Sequence, residues 1–312
     1  MSETPTAAGF RSGFAAFVGK PNAGKSTLLN ALVGEQVAAV SAKPQTTRTR
    51  LAGILTDDTS QVVLVDLPGA VDPNDPLNTA LSDNISYGLD GVDLIVHLVD
   101  VADHEPMNEA VRRALAASPA PRLLVLTKLD GKNERVDAGC QAGELPGIER
   151  SAYARVLGVS AKSGAGLPGL MAEVRSRMPE GPMLYDPEMF VDAQLRDLAA
   201  EAIREKAFLF LQQELPYAVA VKIDDFEENE PPRKWVIRAT VYVERDSQKG
   251  ILIGDGGGTL KKLSTAARQS IERICQAPVF LELWVKVRKN WRKNERDLLD
   301  FGIKQPRKKR KR

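Results

Sequence analysis

The 312-residue sequence predicts an α/β domain, doubly wound around a mostly parallel sheet, followed by a smaller α+β domain. Three observations carry this. Up to about residue 180, uniformly apolar runs of strand length alternate with helical patterns, as central parallel strands and their crossovers do. Gly181-Pro182-Met183-Leu184-Tyr185-Asp186-Pro187 then interrupts the alternation with two prolines. Beyond it the strands alternate apolar and polar residues, the period of half-buried strands. The expected boundaries are a flexible N-terminus over 1–9, the α/β domain over 10–180, a linker over 181–190, the second domain over 191–300 and a basic tail over 301–312.

The elements of the first domain deliver short motifs at strand ends. Phe14-Ala15-Ala16-Phe17-Val18 reads as a buried strand, and residues 27–32 as a helix opening. Between them Gly19-Lys20-Pro21-Asn22-Ala23-Gly24-Lys25-Ser26 fits G-x-x-x-x-G-K-[ST], and Thr27 follows it. Strand, glycine loop and helix form the context in which this pattern cradles a polyphosphate. Gly19 and Gly24 let backbone N–H groups curl around the anion, and the helix N-terminus adds its positive end. Lys25 is placed to reach the β- and γ-phosphates, and the Ser26 hydroxyl to hold Mg²⁺. Val62-Val63-Leu64-Val65 ends in Asp66-Leu67-Pro68-Gly69, a D-x-x-G strand end whose aspartate serves Mg²⁺ through water and whose glycine amide senses the γ-phosphate. Segments 35–50 and 67–90 are less regular, flank this site and read as switch loops.

The remaining strands name the base. Residues 93–100 form another apolar strand, and 107–117 and 167–178 read as covering helices. Leu123-Leu124-Val125-Leu126 delivers Thr127-Lys128-Leu129-Asp130. An aspartate there accepts from guanine N1–H and the 2-amino group; adenine offers neither donor and leaves the carboxylate unpaired. Val156-Leu157-Gly158-Val159 leads into Ser160-Ala161-Lys162, where a backbone amide can meet the 6-oxo group. In this order the motifs imply a domain that binds GTP and GDP with Mg²⁺.

In the second domain, 194–215 reads as an amphipathic helix with Leu195, Leu198, Ala202, Ile203, Phe208 and Leu211 buried. Residues 217–223 and 235–243 read as strands, with the acidic, proline-containing stretch between them as the hairpin connection. Residues 280–288 form a third strand with Leu281, Leu283, Val285 and Val287 on one face. Between the second and third strands, Gln248 to Gly257 contains G-x-x-G, and a helix runs from about 259 to 276. A lone G-x-x-G is usually only a turn, but the order of elements here is that of a type II KH domain. In such a domain the glycines let single-stranded RNA lie against the helix junction. Candidate RNA contacts are Lys249, Ile253, Gly254, Asp255, Gly256, Gly257, Lys261 and Lys262. Asp255 brings a negative charge to that loop, which Lys249, Lys261, Lys262 and the run Arg307 to Arg312 offset.

Composition excludes several classes. Cys140 and Cys275 have no partner pattern, so metal and redox roles are not expected. No apolar run approaches the roughly 18 residues of a membrane span, and residues 1–13 have no signal-peptide architecture. His97 and His104 read as structural and surface residues. A cytoplasmic protein is expected, with peripheral contact at the inner face of the cell membrane as an addition the basic tail allows.

Gly19 to Asn30, Pro44-Gln45-Thr46-Thr47-Arg48, Asp66 to Gly69, Val243 to Ile251 and Leu283 to Trp291 resemble the Era family of bacterial GTPases. The resemblance spans all but the first dozen residues and the tail. It implies slow GTP hydrolysis with Lys25, Thr47, Asp66 and Gly69 as the catalytic group, and Thr47 joining Ser26 and Asp66 around Mg²⁺. It also implies a monomer that binds the 3′ end of 16S rRNA and assists assembly of the small ribosomal subunit. Thr127 departs from the family's asparagine, which weakens base contact, and Ala70 stands where Ras-type GTPases carry a water-orienting glutamine. Asn22 sits where related potassium-activated GTPases ligate K⁺. Two other readings remain: a GTP-gated adaptor with its tail on anionic lipid, and a tRNA-modification GTPase, against which residues 191–290 argue.

Overall fold

A computed structural model describes residues 9–34, 38, 48, 51–130, 145–211 and 215–304. Thr47, Cys140, most of the first switch segment and the basic run 307–312 lie outside the described residues. Contacts divide the chain into two units, the first ending at Asp192, except that residues 74–80, which open a helix otherwise in the first unit, group with the second.

The first unit runs β1 (Arg11–Val18), α1 (Lys25–Val33), β2 (Leu51–Thr56), β3 (Ser60–Asp66), α2 (Pro76–Gly88), β4 (Leu94–Asp100), α3 (Glu109–Ala116), β5 (Arg122–Thr127), β6 (Arg155–Gly158), α4 (Leu167–Ser176) and β7 (Val191–Asp192). The sheet order is β6-β5-β4-β1-β3-β2-β7. β1 pairs in parallel with β3 and β4, β4 with β5, and β5 with β6, while β2 runs antiparallel to β3 and β7. Every residue of β3 is buried, the burial on both faces that its unbroken apolar run implies. From β1 the chain crosses towards β3, and from β4 towards β5, so a switch point opens between β1 and β4. The phosphate-loop pattern follows β1 directly. His97 on β4 is buried, and its Nδ1 lies 2.7 Å from the Tyr153 hydroxyl. Burial, with Arg122 and Lys25 adding to it, pushes its pKa down to about 3, so the ring is neutral and structural at pH 7.

The expected linker is part of this unit. The buried Gln61 donates from Nε2 to the Tyr185 carbonyl (3.0 Å), and its Oε1 accepts from Leu184 N (2.7 Å) and Tyr185 N (2.9 Å). Ile54 N donates to the Phe190 carbonyl, and Val191–Asp192 adds an edge strand on β2. The boundary therefore falls after 192, not at 180. The two prolines end the helix pattern without releasing the chain.

The second unit contains α5 (Leu195–Phe210), β8 (Ala220–Glu227), β9 (Trp235–Val243), α6 (Asp246–Ile253), α7 (Gly258–Cys275), β10 (Val279–Val287) and α8 (Glu295–Asp300). Its sheet has the order β10-β9-β8, with β9 and β10 parallel and β8 and β9 antiparallel. Ile203 and Ala207 of α5 and Leu263, Ala267 and Ile271 of α7 bury against Ile237, Ala239, Val241, Leu281 and Val285 of the strands. α5 ends at Phe210 rather than 215, and Leu195 is only half-buried.

Two further expectations are corrected. Residues 216–218 form a 3₁₀ turn, and β8 begins at Ala220 and continues to Glu227 through the acidic run read as a connection. The run can be a strand because β9 answers its charges. Arg238 pairs with Asp225 and Glu227, and the Thr240 hydroxyl donates to Asp224 (2.6 Å), around a bulge between Ile223 and Asp225. The domain also continues past 300. Trp291 is fully buried, its Nε1 donates to the Ala218 carbonyl (2.9 Å), and Phe301 meets it edge-on at 5.3 Å. Ile303 is buried as well.

Candidate nucleotide site and glycine loop

The phosphate loop leaves β1 at the switch point and enters α1 at Lys25. Lys25 is 6 % exposed, and its Nζ donates to the carbonyls of Gly19 (3.1 Å) and Lys20 (2.9 Å). Burial lowers its pKa to about 8, while the charge of Asp66 acts in the opposite direction. The ammonium thus sits inside the loop, held by carbonyls that a polyphosphate oxygen can replace. Ser26 Oγ donates to Asp66 Oδ2 at 2.6 Å, and Asp66 ends β3 with no exposure. Two hard oxygen donors brought this close suit Mg²⁺.

The D-x-x-G segment lies on the phosphate loop. Ala70 N donates to the Gly19 carbonyl (3.0 Å), and a Cβ at Gly69 would stand 2.7 Å from the Pro21 backbone. Only glycine permits this approach. Leu67 and Ala70 are buried with Val18 and Ile85, so the Ala70 side chain belongs to the core and cannot orient water. Lys20 is committed elsewhere: its Nζ reaches Asp103 Oδ2 (2.7 Å) and the Glu105 carbonyl (2.8 Å) in the loop after β4. Asn22 takes a left-handed conformation (φ 64°) and is exposed, as is Thr27; Pro21 is half-buried and Ala23 buried.

On the base side, Thr127 closes β5. Its buried hydroxyl lies 2.8 Å from the Ala23 carbonyl and 3.2 Å from the Val99 carbonyl, so its single proton goes to the protein backbone rather than outward. The hydroxyl thus ties the base strand to the phosphate loop, in keeping with the weaker base contact expected of threonine at this position. Lys128 is left-handed (φ 62°) and pairs with Asp100 at 2.7 Å, and Leu129 is buried. Asp130 is exposed, and its Oδ1 accepts from the hydroxyl of the fully buried Ser160. Ser160 Oγ in turn accepts from Ser163 N (3.1 Å). Ala161 is half-buried and Lys162 exposed beside it. The carboxylate is therefore oriented before any base arrives. Asp100, Asp103 and Ser163 were not legible as supports, because their partners lie on other strands or arise from a loop turn.

In the second unit, α6 ends and α7 begins around Gly254-Asp255-Gly256-Gly257. Gly254 has φ 72°, and a Cβ there would stand 2.3 Å from Thr259 Oγ1 and 3.0 Å from Thr259 N. Gly256 and Gly257 are also left-handed but face open space. Lys261 and Lys262 are exposed on the first turn of α7, with Asp255 exposed before them. Lys249 is half-buried, and Ile253 packs against the core. The apolar side chain that stands out to solvent here is Ile251, at 60 % exposure, which the sequence reading did not choose.

A phosphate loop at a parallel sheet's switch point, answered by a carboxylate at the end of β3 and an oriented aspartate after β5, defines a P-loop GTPase domain; α5 to β10 make the second unit a KH domain. Residues 14–128 match the family described as 50S ribosome-binding GTPase, and 214–292 match the KH domain family. GTPase Era of Geobacter metallireducens is 40 % identical over 305 residues, which cover 97 % of this chain and 99 % of that protein. A crystal structure of Era in complex with MgGDPNP and nucleotides 1506–1542 of 16S ribosomal RNA aligns with a TM-score of 0.86 at 32 % identity, covering 95 % of this chain and all of that one. A single-residue variant of Aquifex aeolicus Era, bound to GDP and AlF₄⁻, aligns with a TM-score of 0.84, also at 32 % identity and with the same coverage. The chain belongs to the Era family of GTPases, and it hydrolyses GTP. Among the described residues, no helix is long and apolar enough to cross a membrane.

Proposed function

We propose that this GTPase alternates between GTP and GDP forms while its KH domain holds the 3′ end of small-subunit ribosomal RNA during assembly of that subunit. What supports this reading most is the 32 %-identical Era structure, matched over its whole length, which carries MgGDPNP and nucleotides 1506–1542 of 16S rRNA. The glycine loop of this chain has open space at Gly256 and Gly257, with Lys261 and Lys262 next to it, where an RNA backbone can approach. In the G domain, Lys25 leaves its two loop carbonyls for the β- and γ-phosphates, and the Gly69 segment reports on the γ-phosphate through its contact with Pro21. Ser26 and Asp66, with Thr47, hold Mg²⁺, which neutralises charge between the phosphates when bound. Asp130, aligned by Ser160, reads the guanine Watson–Crick edge, and Ala161 and Lys162 approach the 6-oxo group.

The experiment is a titration of the full chain with the 1506–1542 fragment and with a shuffled RNA of equal length. Binding about tenfold or more tighter to the true fragment, a difference of about 1.4 kcal/mol, is expected. Equal affinities contradict the assignment, and preferential salt-sensitive binding to anionic liposomes would favour the membrane adaptor.

Potassium extends the same reading. Ala70 is buried and offers no group to the attacking water, so charge at the phosphates has to come from elsewhere. Asn22 stands exposed on the loop with a carbonyl side chain suited to a monovalent cation. Hydrolysis is expected to run faster in K⁺ than in Na⁺ at equal ionic strength, with the difference lost in Asn22→Ala. Equal rates in the two salts would leave Asn22 as a turn residue.

A further inference from the structure

The sheet of the KH domain has a second face, opposite α5 and α7. Strand alternation points Phe280, Glu282, Trp284 and Lys286 of β10, and Val236, Arg238, Thr240 and Tyr242 of β9, away from the core. One end of this face is covered. Phe301 lies on Tyr242 at 5.1 Å, and Lys222 pairs with Asp300 of α8 at 2.6 Å. The other end is open: Phe280 is 52 % and Trp284 45 % exposed, two large apolar side chains on one strand with Glu282 between them. Single exposed apolar residues are ordinary, but an aromatic pair on a rigid strand is the composition of an interface anchor.

The charge beside the pair says what can dock. Arg238 is bracketed by Asp225, by Glu227 at 3.2 Å and by Glu282 at 3.4 Å. Three carboxylates against one guanidinium leave a local net charge of −2 (−3 + 1), and all four groups are accessible to solvent. Lys286 is exposed two positions beyond Trp284, in register with Tyr242, so the acidic group lies on the Phe280 side of the face, in the rows of Glu282 and Phe280. A phosphate backbone crossing Phe280 and Trp284 would meet this acidic group, so the face repels the RNA that the glycine loop attracts. The run 307–312 of this chain is basic but carries no apolar side chain to seat between the aromatics.

We propose that the Phe280–Trp284 face docks a basic protein surface that presents an apolar side chain. Resting on the function proposed above, its occupant is a protein of the small ribosomal subunit rather than the RNA. The KH domain then engages its target from two sides, RNA at the glycine loop and protein at the open sheet.

The test compares full-length wild type with Phe280→Ser/Trp284→Ser, and with the charge reversal Glu227→Lys/Glu282→Lys, on purified small subunits and on naked 16S rRNA. The serine pair is expected to weaken subunit binding by about tenfold or more while leaving naked-rRNA affinity and the thermal melt unchanged. The lysine pair should weaken subunit binding too, yet hold or tighten binding to naked rRNA. Equal losses on naked rRNA would make the face an RNA platform and overturn the proposal. Unchanged subunit binding in both variants would overturn it as well. Wild type that fails to bind naked rRNA sinks the RNA reading instead, and the same two variants on subunits still decide the face.

Discussion

Replacing Lys25 with alanine is expected to lower GTP hydrolysis by about 10²–10³-fold, the effect of losing one preorganised charge at a developing anion, and to weaken GTP binding with it. Lys25 alone places an ammonium within the loop; Lys20 spends its own on Asp103 and Glu105. Its burial also gives a pH signature. Desolvation lowers its pKa to about 8, so protonation is incomplete above that pH. Bound phosphates favour the charged form, so binding draws in a proton as pH rises through 8. GTP affinity should therefore fall between pH 8 and 9.5 in wild type more steeply than in Lys25→Ala. A direct nucleotide titration across that range checks both parts, and unchanged affinity in the variant would remove Lys25 from the phosphate site.

Asp130→Asn should exchange one base for another. The carboxylate accepts two hydrogen bonds from guanine, and bonds to a charged group are each worth about 1.5–3 kcal/mol. Together that is about 3–6 kcal/mol, or roughly 10²–10⁴-fold in GTP affinity. Xanthine carries an oxo acceptor in place of the 2-amino group, and the new amide can donate to it. The variant is expected to prefer xanthosine triphosphate over GTP. Because the Ser160 hydroxyl can still donate to the amide oxygen of the variant, the side chain keeps its support. A wild-type ratio of the two affinities would show that Asp130 does not read the base.

What the sequence made legible follows from the range of the interactions. The phosphate loop needs only eight consecutive residues and their flanks, and Gly19 to Ser26 stand where that spacing puts them. β3, β4 and β5 were legible because parallel strands buried on both faces are apolar throughout. The rest depended on partners far away in the chain. Gln61 holds residues 184 and 185 across 123 and 124 positions, which no local pattern encodes, so the segment read as a linker. Thr127 reaches Ala23 across 104 positions, so its tie to the phosphate loop had no local signature. The acidic run of β8 looked like a loop because Arg238 and Thr240, which balance it, lie on the neighbouring strand. At the KH loop the glycines were legible, but the choice of Ile253 over Ile251 needed the helix's orientation against the core.

The measurement that tests the account most directly is RNA binding by the full chain carrying Gly256→Asp and Gly257→Asp. Both positions face open space, and aspartate tolerates the left-handed conformation better than most residues, so the loop can keep its path. Gly254 is left intact, because a side chain there would collide with Thr259 at the start of α7. The account predicts an unchanged thermal melt and unchanged GTP hydrolysis without RNA. Affinity for the 1506–1542 fragment should fall by about tenfold or more, since two carboxylates then stand where the RNA backbone lies. Full RNA affinity in the folded, GTP-hydrolysing variant would contradict the account and leave the glycine loop a passive turn.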